Sequence, residues 1–153
     1  MLNHRLLIAT AVACAAACFP PSALAAGKTE TLRFFSQTQS LVLTHADGTV
    51  VDHAPYPAPV AGDTLDVFAI DFAGDHRRHA KRFSGSEHVR CSFGAASPEP
   101  DCTSHVALGG SLMVFHGSTL IAGTGRFLGA TGRSLSNKEV EGGSDEVARI
   151  RLR

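Results

Sequence analysis

The residues of this chain with the most chemical potential are carboxylates set inside apolar runs. Asp66 and Asp71 interrupt the stretch around Val67-Phe68-Ala69-Ile70, and Glu87 falls in phase with Phe83 and Val89. A carboxyl on the apolar face of a strand, where that face lines a cavity, has its proton held more tightly by burial and can act as a general acid or base. Asp71 and Glu87 are therefore the catalytic candidates. The plainer reading pairs these acids with Arg82, Arg90 or exposed backbone near strand ends. Phe68, Phe83 and Phe115 are candidates for a ligand-binding wall, although phenylalanines on strands more often fill a core. His76 and His79 have His-x-x-His spacing, but Arg77 and Arg78 between them oppose a divalent ion. His88, His105 and His116 fall on successive expected strands and would suit zinc only if the register stacked them on one face. No metal and no cofactor are assigned. A Ser-His-Asp mechanism is disfavoured because no nucleophile-elbow sequence is present.

These side chains need strands to position them. After the first quarter no convincing helical stripe occurs, and apolar alternation is broken by Gly, Pro, Asp and Asn. Thr31 to His45 is a long extended segment with a bend or bulge, its apolar phase shifting between Phe34 and Phe35. Ala46-Asp47-Gly48 is a turn, and the three prolines from Ala54 to Val60 make a stiff connector. Gly62-Asp63 opens a strand from Thr64 to Phe72, and Ala73 to His79 reads as a polar loop. Ala80 to Phe93 alternates between an apolar and a wet face. Cys102 to Leu108 and Ser111 to His116 flank Gly109-Gly110. Thr119 to Ala122 leads into a glycine-rich segment, and Arg133 to Glu139 continues as a strand. Past the turn at Gly142-Gly143-Ser144-Asp145, Glu146 to Arg153 alternates regularly. Such a strand left as a free edge would invite aggregation, so it is expected to close a sheet. Seven or eight strands with short connections fit a closed antiparallel barrel or a sandwich. The lack of Trp and of immunoglobulin-type Cys spacing argues against the immunoglobulin sandwich.

Residues 1–25 read as a cleaved secretory signal peptide. Arg5 supplies the positive start, Leu6 to Phe19 is apolar apart from Thr10, Pro20-Pro21 ends the run, and Ala23-Leu24-Ala25 is a small-x-small cleavage site. The run is too short for a membrane anchor. Lipidation at Cys14 or Cys18 is a lesser alternative, since the usual Leu before the cysteine is missing. Export predicts a secreted or periplasmic domain over residues 26–153, with 13 Lys and Arg against 14 Asp and Glu. That balance gives no electrostatic case for nucleic acid or an anionic membrane as partner, and no later segment could span a bilayer. Cys91 and Cys102 remain, an even pair in an oxidising compartment, and are expected to form a disulfide. Buried thiols or a metal pair are the other options.

The glycine-rich segment carries a resemblance. A strand, then Gly123-Thr-Gly125-Arg-Phe127, then Gly129-Ala-Thr-Gly132, resembles the late-barrel motif of the allene oxide cyclase and dirigent superfamily. Gly62-Asp63, the Cys91 to Cys102 region and Gly109-Gly110-Ser111 fall in matching order and resemble bacterial allene-oxide-cyclase-barrel-like proteins. A phosphate-binding loop is the competing reading, but the glycine spacing and the missing helix do not fit it. The resemblance covers roughly residues 30–153 and implies an eight-stranded antiparallel, calycin-like β-barrel with an apolar cavity, often a homo-oligomer. Members of this superfamily confine reactive organic intermediates and steer cyclisation or coupling. Arg126 and Thr131 stand where plant dirigent proteins carry an acid and an Arg, so only the scaffold carries over, without the catalytic set.

Two functions follow as expectations. One is a cofactor-free exported barrel that binds a small apolar organic molecule and orients or cyclises it. The other is a non-catalytic binding or structural barrel. A cavity with a buried acid facing apolar walls favours the first, and an interior filled by side chains favours the second.

Overall fold

The structure is a computed structural model and describes residues 27–97 and 99–153. The expected signal peptide lies outside the described residues. Ten strands are present: β1 (Thr29–Thr44), β2 (Val50–Val51), β3 (Thr64–Asp75), β4 (Arg78–His79), β5 (Gly85–Ser92), β6 (Asp101–Leu108), β7 (Ser111–His116), β8 (Thr119–Gly123), β9 (Thr131–Val140) and β10 (Gly143–Arg151). Leaving aside the short β2 and β4, eight strands form one antiparallel barrel. Going round, the order is β1, β10, β9, β8, β7, β6, β5 and β3, and β3 then pairs back onto β1. Closure removes the free edges, and β10 is the strand that meets β1. Among the described residues no helix is long and apolar enough to cross a membrane.

The alternation of the sequence sorts side chains between the two faces. On β3, Leu65, Val67, Ala69 and Asp71 point inward, while the residues between them point out. One end of the barrel is filled by Val106, Met113, Phe115, Leu120, Phe127 and Ile150. The plug is the glycine-rich segment: Gly125–Phe127 forms a single 3₁₀ turn that drives the Phe127 ring into the core, where it has 0% exposure. Two glycines permit this. A Cβ on Gly123 would lie 2.4 Å from the Phe127 carbonyl oxygen, and Gly125 has φ +56° with Ser111 Oγ 2.4 Å from where its Cβ would be. Arg126 lies over the Phe127 ring at 4.7 Å and pairs with Glu30.

Three sequence expectations need correction. The break in β1 is at Gln39, where the register with β3 slips between Thr38 and Ser40, and not between Phe34 and Phe35. Phe34 faces the interior, and Phe35 is buried on the outside beneath Phe72 and His79, with ring centroids 6.5 and 5.2 Å away. Two adjacent buried rings thus imitated a change of phase. Residues 73–79 are a hairpin rather than a loop, since β3 runs on to Asp75 and turns back through β4. β5 begins at Gly85 rather than Ala80, because Ala80 N and Ser84 N bond Ala73 O and Asp71 O and hold 80–84 against that hairpin.

Candidate functional site

The barrel end opposite the Phe127 plug is open. The interior holds a cavity of about 770 Å³, within the roughly 300–1,000 Å³ typical of small-molecule sites. Its walls include Phe34, Leu65, Val67, Val89, Met113 and Phe115. It reaches solvent past the exposed residues Gly117, Ser118, Leu135 and Glu139. This opening has a structural cause. β8 and β9 pair only through Thr119 and Arg133, with one further bond from Ser134 N to Ser118 O, so β9 outruns the short β7–β8 hairpin. Cys91 and Cys102 face each other across β5 and β6, are joined by a disulfide, and line the same cavity.

Within these walls Asp71, Glu87, Glu146 and the Ser36, Ser144 and Asn137 side chains bonded to them lie on five adjacent strands, β9, β10, β1, β3 and β5. Strand register sets Ser144 of β10 opposite Ser36 of β1, and Ser36 opposite Asp71 of β3. Glu87 enters from β5 and Glu146 from β10. The Ser36 hydroxyl donates to Asp71 Oδ1 at 2.8 Å. Ser144 Oγ and Asn137 Nδ2 both donate to Glu146 Oε1, at 2.9 and 3.1 Å. Asp71 is 0% exposed and Glu87 5%, and Asp71 Oδ2 has no hydrogen-bond partner among the described residues.

Burial sets the protonation of this group. Desolvation pushes Asp71 up to about 6, against the stabilising hydroxyl of Ser36 and with help from the nearby charge of Glu146. Desolvation, then the charges of Glu146 and Asp71, push Glu87 up to about 8. Glu146 is also raised by burial. Between those two values Asp71 is a carboxylate and Glu87 a carboxylic acid. Two carboxyls in one cavity held in opposite protonation states are the arrangement from which acid–base pairs are made.

Asp71 and Glu87, both selected from the sequence, therefore share one cavity, and Phe115 forms part of its wall at 5% exposure. Phe68 and Phe83 do not belong to it. Phe68 occupies an outward position of β3 and is 42% exposed, and Phe83 precedes β5 in the turn from the hairpin and is 70% exposed. Asp66 likewise faces out, 3.1 Å from His88 Nε2 and 3.9 Å from Arg90 Nε. His76 Nδ1 lies 2.5 Å from Asp145 Oδ2, while His79 packs on Phe35 and Phe72, so the two imidazoles serve different neighbours. His88 and His105 are cross-strand partners, whereas His116 stands opposite Thr103. Among the described residues no three His, Cys, Asp or Glu side chains are grouped to hold a metal ion.

Sequence reasoning missed Glu146, Ser36, Asn137 and Ser144. The signal for Glu146 was present, since it shares the alternation of Ala148 and the fully buried Ile150. The serines carry no such mark and are identified only by register. Asp63, read only as a strand opener, is a buried anchor. It accepts bonds from Val60 N at 2.9 Å, Ala46 N at 3.1 Å and His45 Nδ1 at 3.0 Å, and so ties down the proline-rich connector. No protein-family model matches the chain, and no curated relative is found.

Proposed function

We propose that this chain is an exported, cofactor-free barrel that admits a small, largely apolar organic molecule and moves a proton on it, promoting rearrangement or ring closure. The observation that carries the reading is the cavity itself: Asp71 and Glu87 stand in an apolar chamber closed at one end by Phe127 and open at the other. Asp71 is the base and Glu87 the acid, and near neutral pH each is in the required form. Confinement by Phe34, Leu65, Val67, Val89 and Phe115 limits the conformers of a flexible guest. The resemblance of the Gly123–Gly132 segment to allene oxide cyclase and dirigent barrels supports the same class of chemistry. Export is supported by the leader-like residues 1–25 and by the Cys91–Cys102 bond.

A non-catalytic binding barrel is the competing reading, and a generic proton-transfer probe separates the two. 5-Nitrobenzisoxazole opens its ring when one carbon-bound proton is removed, and the released phenolate is coloured. Saturable turnover is expected, rising with pH through about 6 and lost in Asp71→Asn. Turnover no faster in the parent protein than in Asp71→Asn would remove the catalytic reading.

A further inference from the structure

Around Asp71 the chamber is unusually one-sided in charge. The titratable groups that face it are Glu87 from β5 and Glu146 from β10, with Glu139 of β9 nearer the mouth; β1 contributes the uncharged Ser36. Among the described lining residues there is no Lys, Arg or His. Of the donors that line it, Ser36 bonds Asp71 Oδ1 and Ser144 and Asn137 bond Glu146 Oε1, while Thr38, Ser104, Ser134 and Ser136 give Asp71 Oδ2 no bond. Asp71 lines the cavity, and its Oδ2 is fully buried and without a donor among the described residues. A buried carboxylate oxygen in that condition costs free energy that a bound donor would recover.

We infer that the molecule taken up by this barrel carries a basic nitrogen, entering as an organic ammonium whose N–H groups meet Asp71 Oδ2 and the carboxyl of Glu146 while its apolar body lies against Val67, Val89 and Phe115. This inference rests on the small-molecule reading above and narrows it to one class of guest. A neutral hydroxyl would satisfy Asp71 Oδ2 but would leave the mutual repulsion of the carboxylates in place. An ammonium answers both. A carboxylate guest adds to the repulsion and is excluded. A bare divalent ion is disfavoured because no three ligating side chains converge among the described residues. Because the guest pairs with ionised carboxyls, its uptake releases protons and strengthens as pH rises.

The test compares three probes of equal length, octylammonium, octan-1-ol and octanoate, titrated by calorimetry into the disulfide-intact protein. The ammonium is expected to bind about tenfold or more tightly than the alcohol, the difference between a charge-assisted and a neutral hydrogen bond, and octanoate not at all. In Asp71→Asn the ammonium should lose most of its advantage over the alcohol, and an unchanged far-ultraviolet circular dichroism spectrum reports that the barrel is intact. Proton release, read from the dependence of the heat on buffer ionisation, should accompany the ammonium alone. Equal affinity for ammonium and alcohol in the parent protein overturns the cationic head and leaves the apolar chamber standing. If neither binds, the small-molecule reading falls with it.

Discussion

Glu87 holds its proton in the folded barrel up to a pH of about 8, whereas an unfolded glutamate releases it near 4.5. A carboxyl raised on folding contributes stability that is fully present below the unfolded value and is lost as pH rises toward the folded one. For Glu87 the window therefore runs from about 4.5 to about 8. Over the part between pH 5 and 7.5, linkage at 1.36 kcal/mol per unit gives a loss of about 3 kcal/mol from this group. Glu87→Gln keeps the shape of the protonated acid and removes the titration. Glu146, whose charge is one source of the lift, still titrates in the variant, so about 2–3 kcal/mol of the difference should be recovered. Replacing the hydroxyl by an amide has its own cost against Ser104, whose hydroxyl bonds Glu87, and the part of that cost that does not depend on pH cancels when the two pH values are compared. The assay is urea unfolding followed by far-ultraviolet circular dichroism, for both proteins at both pH values. The stability of Glu87→Gln relative to the parent should rise with pH by that amount. Parallel profiles, or a variant that loses ground as pH rises, would refute the placement of Glu87 as a buried acid among like charges.

Two further predictions concern the scaffold. Phe127→Ala removes the fully buried plug and should destabilise the barrel by about 3–5 kcal/mol in the same urea assay, as large-to-small changes at buried aromatic sites do; a loss below about 1 kcal/mol would mean the plug is dispensable. Replacing Cys91 and Cys102 together by Ala should cost about 2–3 kcal/mol through the freed chain between β5 and β6, and adding reductant to the parent protein should give the same loss, with no loss in either case counting against the bond as a staple.

The sequence was most legible where the barrel obeys strict alternation. β6, β7 and β8 fall close to their expected spans because their inward residues repeat every second position between glycine turns, whereas β10 already begins at Gly143, inside the segment read as a turn. It was least legible where an outer layer covers the barrel. Phe35 and Phe72 look like interior residues but pack against His79 on the outside, Phe35 buried and Phe72 half-buried, and nothing in a one-dimensional pattern tells a residue covered outside the wall from one buried inside it. Phe68 and Phe83 misled because aromatic identity suggests a cavity wall, whereas register turns Phe68 outward and Phe83 lies in the turn before β5.

The candidate site shows the same division in sharper form. Asp71 and Glu87 could be picked out because a carboxyl in phase with Val67 and Val89 is costly on an inward face, and chains seldom carry that cost without use for it. That they line one space could not be read from either strand alone. It follows from the path β10–β1–β3–β5, which sets Ser144, Ser36 and Asp71 side by side and brings Glu146 and Glu87 in from the flanks. Closure of the barrel through β1 and β10 is thus what turns separate buried acids into one cluster. The same closure, finished at one end by Phe127 and left incomplete at the other by the short β7–β8 hairpin, gives that cluster a path to solvent. On the reading proposed above, a guest that enters past Leu135 and Glu139 lays its apolar body along Val67, Val89 and Phe115 while its polar head meets the acids.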